Sequence, residues 1–284
     1  MSMIAIDLGN TRLKAGFFIG NRLISVAKFS HDALEEGDER HRLSLFINQN
    51  STSSLPNTSG NQDLNYSPLP YARDTQSFAS LPVKVIISSV IKLKAEFLTW
   101  LKGQTSVNLL DHSMALPFVN LYQSPLSLGS DRIAAVAGAL SLYQGKNVLI
   151  INAGTAITYE FLNHKGEYLG GSISPGLHMR YMALHTFTSR LPLVELDENL
   201  PELIGTDTVS AIRSGVQLNT LFEIKEVINA YRNLYGENLS ICMCGGDSKT
   251  FVTQLKNSIF ADHLALQPDL VLIGLNQILT FNNA

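Results

Sequence analysis

The chain has little cysteine, little tryptophan, little charge and no long apolar run. Its cysteines are two, Cys242 and Cys244. They stand too close along an expected strand to pair easily, which argues against a disulfide scaffold and for a reduced, cytoplasmic setting. With no histidine at zinc spacing nearby, they read as two small buried residues on one strand face. No apolar run approaches the ~20 residues that a membrane span needs, so no membrane partner is expected. Lys plus Arg is 21 and Asp plus Glu is 24, only 16% of the chain. No basic cluster stands out, so nucleic acid is not an expected partner. The start of the chain runs straight into a strand with no basic n-region and no cleavage site, and so does not read as a signal peptide. A GxxxxGK[ST] loop and the protein-kinase signatures are absent too, which excludes those phosphoryl-transfer designs.

What is present is apolar material and glycine turns. At 284 residues and 45% hydrophobic content the chain can bury one large core or two ordinary ones. Its organising stretch is the first: Met3 to Leu8 reads as a buried strand, Gly9-Asn10 as a turn, and the alternation of Leu13, Ala15 and Phe17 as a returning strand. This delivers the Asp7 carboxylate to a strand end, beside a glycine turn whose Asn10 and Thr11 offer donors. A carboxylate able to hold a divalent metal there suits nucleotide phosphates. A polar hairpin capping the strand is the other reading.

The chain repeats itself. Val148 to Phe161 matches the first stretch in character, with Asn152 in line with Asp7 and Gly154 with Gly9. Each copy passes a glycine turn, Gly20-Asn21 or Lys165-Gly166, into a third strand over Leu23 to Phe29 or Glu167 to Ile173. Such a duplication predicts two similar lobes facing one another across a cleft, with paired loops able to clamp a nucleotide. Residues 1–125 and 126–284 are the expected lobes. Residues 48–80 form a polar, low-complexity insertion in the first, expected to be mobile and remote from the chemistry. Strands alternating with helices argue for an α/β class. Val83 to Val90, Ser106 to Leu110 and Leu239 to Cys244 are further expected strands, the last of them the final clear one. Helices are expected near Leu93–Leu101, Asp131–Tyr143, Gly176–Arg190, Asp207–Leu234 (one helix or a broken pair) and Pro268–Phe281.

Gly129-Ser130-Asp131-Arg132 is the most pointed polar cluster, at the start of an apolar helix. Asp131 there could accept a proton from a hydroxyl nucleophile, and Arg132 could grip an anionic or carbonyl-bearing substrate. An N-cap bonding backbone amides accounts for the same residues. The turns at Gly170 to Gly176 and at Gly245-Gly246-Asp247 either bring backbone amides to a ligand, an adenine ring in the second case, or are simply tight connections. His178 and His185 share a helix face without a third metal ligand.

Together, Asp7-Leu8-Gly9-Asn10-Thr11 with Lys14, Gly129-Ser130-Asp131-Arg132, Ala153-Gly154-Thr155-Ala156 and Gly170 to Leu177 resemble, in order and spacing, the type III pantothenate kinases. Leu191-Pro192 and Gly205-Thr206-Asp207-Thr208 extend the likeness over nearly the whole chain outside the insertion. That family lies in the acetate and sugar kinase, heat-shock-70 and actin superfamily. The resemblance implies an α/β fold of two duplicated ribonuclease-H-like lobes. It also implies ATP-dependent phosphorylation of pantothenate to 4'-phosphopantothenate, the first step of coenzyme A synthesis, in a homodimer.

By the same resemblance Asp7, Leu8, Gly9, Asn10, Thr11, Arg12, Leu13 and Lys14 hold the ATP phosphates, Asp7 with Mg²⁺, and Gly154 and Thr155 help from the second lobe. Asp131 is the catalytic base. Tyr122, Gly129, Ser130, Asp131 and Arg132 bind pantothenate, with Thr208 reaching in from the partner subunit. Asn152 departs from the family, which usually has there an aspartate ligand for a monovalent cation, K⁺ or NH₄⁺. Glu160 stands where aspartate is common. Two rival readings remain: a kinase of the same fold for another small hydroxylated substrate, or a non-catalytic, nucleotide-binding regulatory descendant. Asp7 and Asp131 speak against the second, and Asn152 is its best support.

Overall fold

The computed structural model describes residues 2–51, 83–197, 199–256 and 259–283. In chain order the elements are β1 (Ser2–Leu8), β2 (Leu13–Ile19), β3 (Arg22–Phe29), α1 (Asp38–Ser51), β4 (Lys84–Ser89), α2 (Ala95–Gln104), β5 (Ser106–Leu109), β6 (Val119–Asn120) and α3 (Ser130–Leu142). They continue with β7 (Val148–Ala153), β8 (Ala156–Leu162), β9 (Glu167–Pro175), α4 (Leu177–Thr186), α5 (Thr208–Arg213), α6 (Asn219–Tyr235), β10 (Ser240–Cys244), α7 (Ser248–Leu255), β11 (Leu264–Leu266) and α8 (Leu270–Phe281). The insertion begins as helix, since α1 runs on to Ser51; the rest of it, and the mobility expected of it, lies outside the described residues.

Two compact units share these elements. The first comprises Met1–Pro117, Ser124–Ser141 and Leu270–Ala284, the second Phe118–Gln123 and Leu142–Asp269. In the first, the sheet runs β3-β2-β1-β4-β5, with β1, β2 and β3 successively antiparallel and β1, β4 and β5 parallel. Its central strand β1 is apolar on both faces, as a strand covered by helices on both sides must be. Ile4, Ile6 and Leu8 face a core shared with α1 and α2. On α8, Leu272 and Leu275 are fully buried. α3 and α8 meet backbone to backbone, because a Cβ on Gly274 would lie 1.7 Å from the Ala134 carbonyl oxygen.

The second unit's sheet runs β11-β10-β7-β8-β9-β6. Taken from the β9 side, β9-β8-β7-β10-β11 repeats the order and the strand directions of the first sheet, which is the duplication expected from the sequence. The two-residue β6 is an addition, paired parallel to β9. One face of this sheet makes the core with α4, α6 and α7.

Both units are discontinuous in sequence, unlike the contiguous lobes 1–125 and 126–284. α3 and α8, which sequence placed in the second lobe, pack within the first. Other differences are local. α4 stops at Thr186, short of Arg190, where the Thr188 hydroxyl donates to the Leu184 carbonyl and competes with the helix. The expected helix over Asp207–Leu234 is continuous, but Ser214–Leu218 widens into one π turn. From that turn the buried Gln217 accepts from the Tyr181 hydroxyl at 2.8 Å and donates to the Asp197 carbonyl at 2.8 Å. β11 follows the strand taken as last; at three residues it is too short for periodicity to reveal.

Candidate active site

In the first unit the site begins with Asp7, next to last in β1 and paired across the hairpin with Lys14. Its carboxyl is buried, and its Oδ1 has no hydrogen-bond partner. Burial first, then the nearby Asp131 carboxylate, push its pKa up to about 7, with Lys14 opposing. Asp131 lies in the first turn of α3. Its own pKa is raised by burial, although the amides of residues 131 and 132 and the Arg132 guanidinium pull the other way. The base and the cap expected of Asp131 are therefore compatible: the carboxylate touches the helix amides and also faces a second acid. Two neighbouring carboxylates, one with a buried, orphaned oxygen, repel each other until a cation intervenes. The residues therefore fit Mg²⁺. Among the described residues no cluster of three or more acidic, histidine or cysteine groups able to hold a metal exists.

The turn after β1 is closed by the Gly9 amide donating to the Arg12 carbonyl at 3.1 Å. Asn10, Thr11 and Arg12 are exposed on it. Leu8 and Leu13 are fully buried in the core behind it, so of these two only the backbone can meet a ligand. Sequence reading missed His31, whose Nε2 hydrogen-bonds the Gly9 carbonyl at 2.9 Å and braces the turn from below. Ser130 is occupied within the fold: its hydroxyl bonds the Ser89 carbonyl at 3.1 Å and the Ser88 hydroxyl at 3.0 Å, tying α3 to the end of β4. Arg132 is buried, at 7% exposure. Beside Gly129 and Ser130 opens a cavity of about 380 Å³, bordered also by Ser89, Asp111 and His112. It sits at the carboxyl ends of the parallel strands β4 and β5, where open α/β sheets take ligands.

In the second unit three turns converge. The Gly154 amide donates to the Ala156 carbonyl at 3.0 Å, closing this loop one residue tighter than the Gly9 loop. The Gly176 amide donates to the Thr155 carbonyl at 3.0 Å, and the Asp247 amide to the Ala153 carbonyl at 2.9 Å. Thr155 is exposed. Asn152 lies across from Thr158 in register, and a Cβ on Gly245 would come within 2.5 Å of its Oδ1. The Thr158 hydroxyl is buried without a partner. Neutral oxygens of this kind fit a monovalent cation. A cavity of about 350 Å³ lies beside Asp247, against His178 and Tyr181.

Tyr122 follows β6 and stacks on Tyr168, ring centroids 6.0 Å apart. Thr208, exposed, opens α5 behind Asp207, whose side chain caps the helix by accepting from the amides of Val209 and Ser210. Cys242 and Cys244 are in no disulfide and are buried as expected, and burial pushes the Cys242 thiol up to about 12. No described helix is long and apolar enough to cross a membrane.

A duplicated fold of this topology, with Asp7 near the end of its first strand and Asp131 at the start of α3, is of the sugar-kinase and actin-like class of folds. The sequence comparisons narrow the class. The type III pantothenate kinase profile matches residues 3–230. The type III pantothenate kinase of Bacteroides fragilis strain YCH46 is 47% identical over 201 residues, 70% of this chain and 80% of that protein. That of Cytophaga hutchinsonii is 35% identical over 281 residues, 98% of this chain and 99% of that one. The chain belongs to the type III pantothenate kinase family. Among solved structures, a Campylobacter jejuni protein described as a conserved Baf family transcriptional activator superposes with a TM-score of 0.53 at 18% identity, covering 99% of both chains. A Listeria monocytogenes protein described as an N-acetylmannosamine kinase gives 0.52 at 14% identity, again over 99% of both. At such identities the likeness speaks for the fold alone.

Proposed function

We propose that the chain phosphorylates the primary hydroxyl of pantothenate with ATP, the entry step of coenzyme A synthesis. The observation that carries this reading is the pairing of Asp7 with Asp131 in the first unit. Asp131 is the base: burial makes it a stronger proton acceptor than an ordinary carboxylate, and it takes the proton of the attacking hydroxyl. Asp7 holds Mg²⁺, which when bound offsets charge on the transferring phosphoryl group. Lys14 and the backbone of Gly9 to Arg12 cradle phosphates, as do Gly154 and Thr155. The cavity beside Asp247 suits the adenosine end of the nucleotide.

Gly129, Arg132 and Tyr122 hold pantothenate, the cavity beside Gly129 taking part of its body. Ser130 serves by fixing the start of α3. The second unit exposes Ile173, Phe187, Leu203 and Ile204, each 63% or more accessible. An apolar surface of that kind supports a homodimer in which Thr208 completes the partner's site. Asn152 with Thr158 takes K⁺ or NH₄⁺ weakly, and the enzyme works in the cytoplasm.

The test is direct. Pure protein with ATP, Mg²⁺, K⁺ and pantothenate is expected to yield 4'-phosphopantothenate and ADP in equal amounts. ADP release without a phosphorylated pantothenate would sink the substrate assignment. No nucleotide turnover with any small alcohol would sink the kinase itself.

A further inference from the structure

Tyr122 has a weak footing of its own. It follows a strand of two residues at the sheet edge, held by the Leu121 amide donating to the Tyr168 carbonyl at 3.0 Å and by its own amide donating to the Asn120 side chain at 3.0 Å. Neither bond fixes the ring. The ring is fixed from the next strand. Tyr168 lies under it at 28° between planes, while Phe118 meets the other side of the arrangement edge-on to Tyr168, centroids 6.1 Å apart. Gly170, at φ +110°, leaves the space that the Tyr122 ring fills; a Cβ there would stand 3.2 Å from its Cδ2. Tyr168 is itself fully buried, and its hydroxyl donates to Glu160 Oε2 at 2.5 Å. Glu160 is fully buried as well.

A buried carboxylate bonded to a buried phenol is a costly way to fill a core, since apolar side chains of similar volume would do it at least as well. What such a bond supplies is orientation. A tyrosine anchored at its hydroxyl cannot change rotamer without giving up a buried hydrogen bond. We infer that Tyr168 and Glu160 are positioning residues that fix the ring of Tyr122, the residue proposed to contact pantothenate. This rests on the proposed contact between Tyr122 and pantothenate. It also gives Glu160 a role apart from charge supply to a cation at Asn152, although the two residues share one face of the sheet.

The experiment is a double-substitution cycle read in KM for each substrate. Tyr122→Ala is expected to raise the pantothenate KM about tenfold and leave the ATP KM near its starting value. Tyr168→Leu should do nearly the same, and the double variant should be no worse than Tyr122→Ala alone, because both act through one ring. Tyr168→Phe keeps the ring and removes only the anchor; it should raise the pantothenate KM about three- to tenfold, the range of one lost buried hydrogen bond. It also covers the case in which the leucine variant fails to fold. Singles that multiply in the double variant, or pantothenate and ATP KM values that rise together in Tyr168→Phe, would overturn the inference. So would a Tyr168→Phe enzyme whose only change is in K⁺ half-saturation, which would return Glu160 to the cation site. If Tyr122→Ala leaves pantothenate KM unchanged while the kinase stays active, the contact of Tyr122 with substrate is itself refuted, and the inference with it.

Discussion

Asp131→Asn separates chemistry from architecture at the residue on which the mechanism turns. The substitution removes one charge and changes no heavy-atom volume. An amide oxygen still accepts from the backbone N–H groups of residues 131 and 132, which now bond the carboxylate. The start of α3 should therefore survive, with at most a fraction of the ~1 kcal/mol that a lost cap costs. Removing a positioned base costs about 10²–10⁴ in turnover, or ~2.7–5.5 kcal/mol of barrier. The electrostatics add a signature that a cap cannot produce. Burial raises the Asp131 carboxyl, and Asp131 in turn raises Asp7. A raised acid favours the fold fully only below its unfolded pKa of 3.8, and this support is lost as pH climbs toward the folded value. Neutralising Asp131 should therefore stabilise the metal-free protein at pH 8 relative to wild type and change little at pH 4. ADP release at saturating substrates gives kcat, and thermal melts in chelator at both pH values give stability. Near-wild-type kcat in the folded variant would refute the base. A melting temperature that falls at pH 8 would refute the account of the paired carboxylates.

Two further outcomes follow from the same geometry. Without divalent metal the wild-type protein should lose stability as pH rises through about 7, the Asp7 value. Raising a buried carboxyl that far is worth at most about 4 kcal/mol; Asp7→Asn should flatten the pH profile and remove the stabilisation by Mg²⁺, and an unchanged Mg²⁺-dependent shift in its melting temperature would place the ion elsewhere. At Asn152 a full charge would bind a monovalent cation more tightly than a carbonyl dipole does, less a large desolvation cost. Asn152→Asp should lower the K⁺ concentration for half-maximal rate at constant ionic strength, whereas equal rates with and without K⁺ in both proteins would mean that no such site exists.

The duplicated hairpins were legible because each carries its own evidence: an apolar strand, a glycine turn and an alternating return. That is enough to align Asp7 with Asn152, and the two sheets repeat one strand order around them. The division of the helices was not legible. α3 buries eight of its thirteen residues, Ala134 to Ala139 among them in an unbroken row, so its sequence shows that it is covered but not by which sheet. His31, braced against Gly9, lies twenty-two residues away in a short 3₁₀ turn with no motif around it. The Glu160–Tyr168 bond was hidden for a similar reason: an acidic residue in a mostly apolar strand looks like an exception until its partner, eight residues on in the next strand, is seen. Leu8 and Leu13 show a different limit: a contiguous motif names them with their neighbours, and only the structure shows that their side chains lie in the core.

The closing helix has a consequence for how the chain is made. α8 lies on β1, and its Asn276 donates to the carbonyl of Gly20 across 256 positions of sequence, at 3.1 Å. The sheet that is made first of the two therefore waits until the other is complete, and α8 is made, before its second face is covered. The other unit, with all but six of its residues in one run from Leu142 to Asp269, is complete in sequence by then. Synthesis order and completion order are thus reversed: the half carrying Asp7 and Asp131 is expected to be the later to acquire protection from hydrogen exchange. A nascent chain halted before Leu270 should keep β1 open to exchange, and competence for catalysis would arrive only with the final helix.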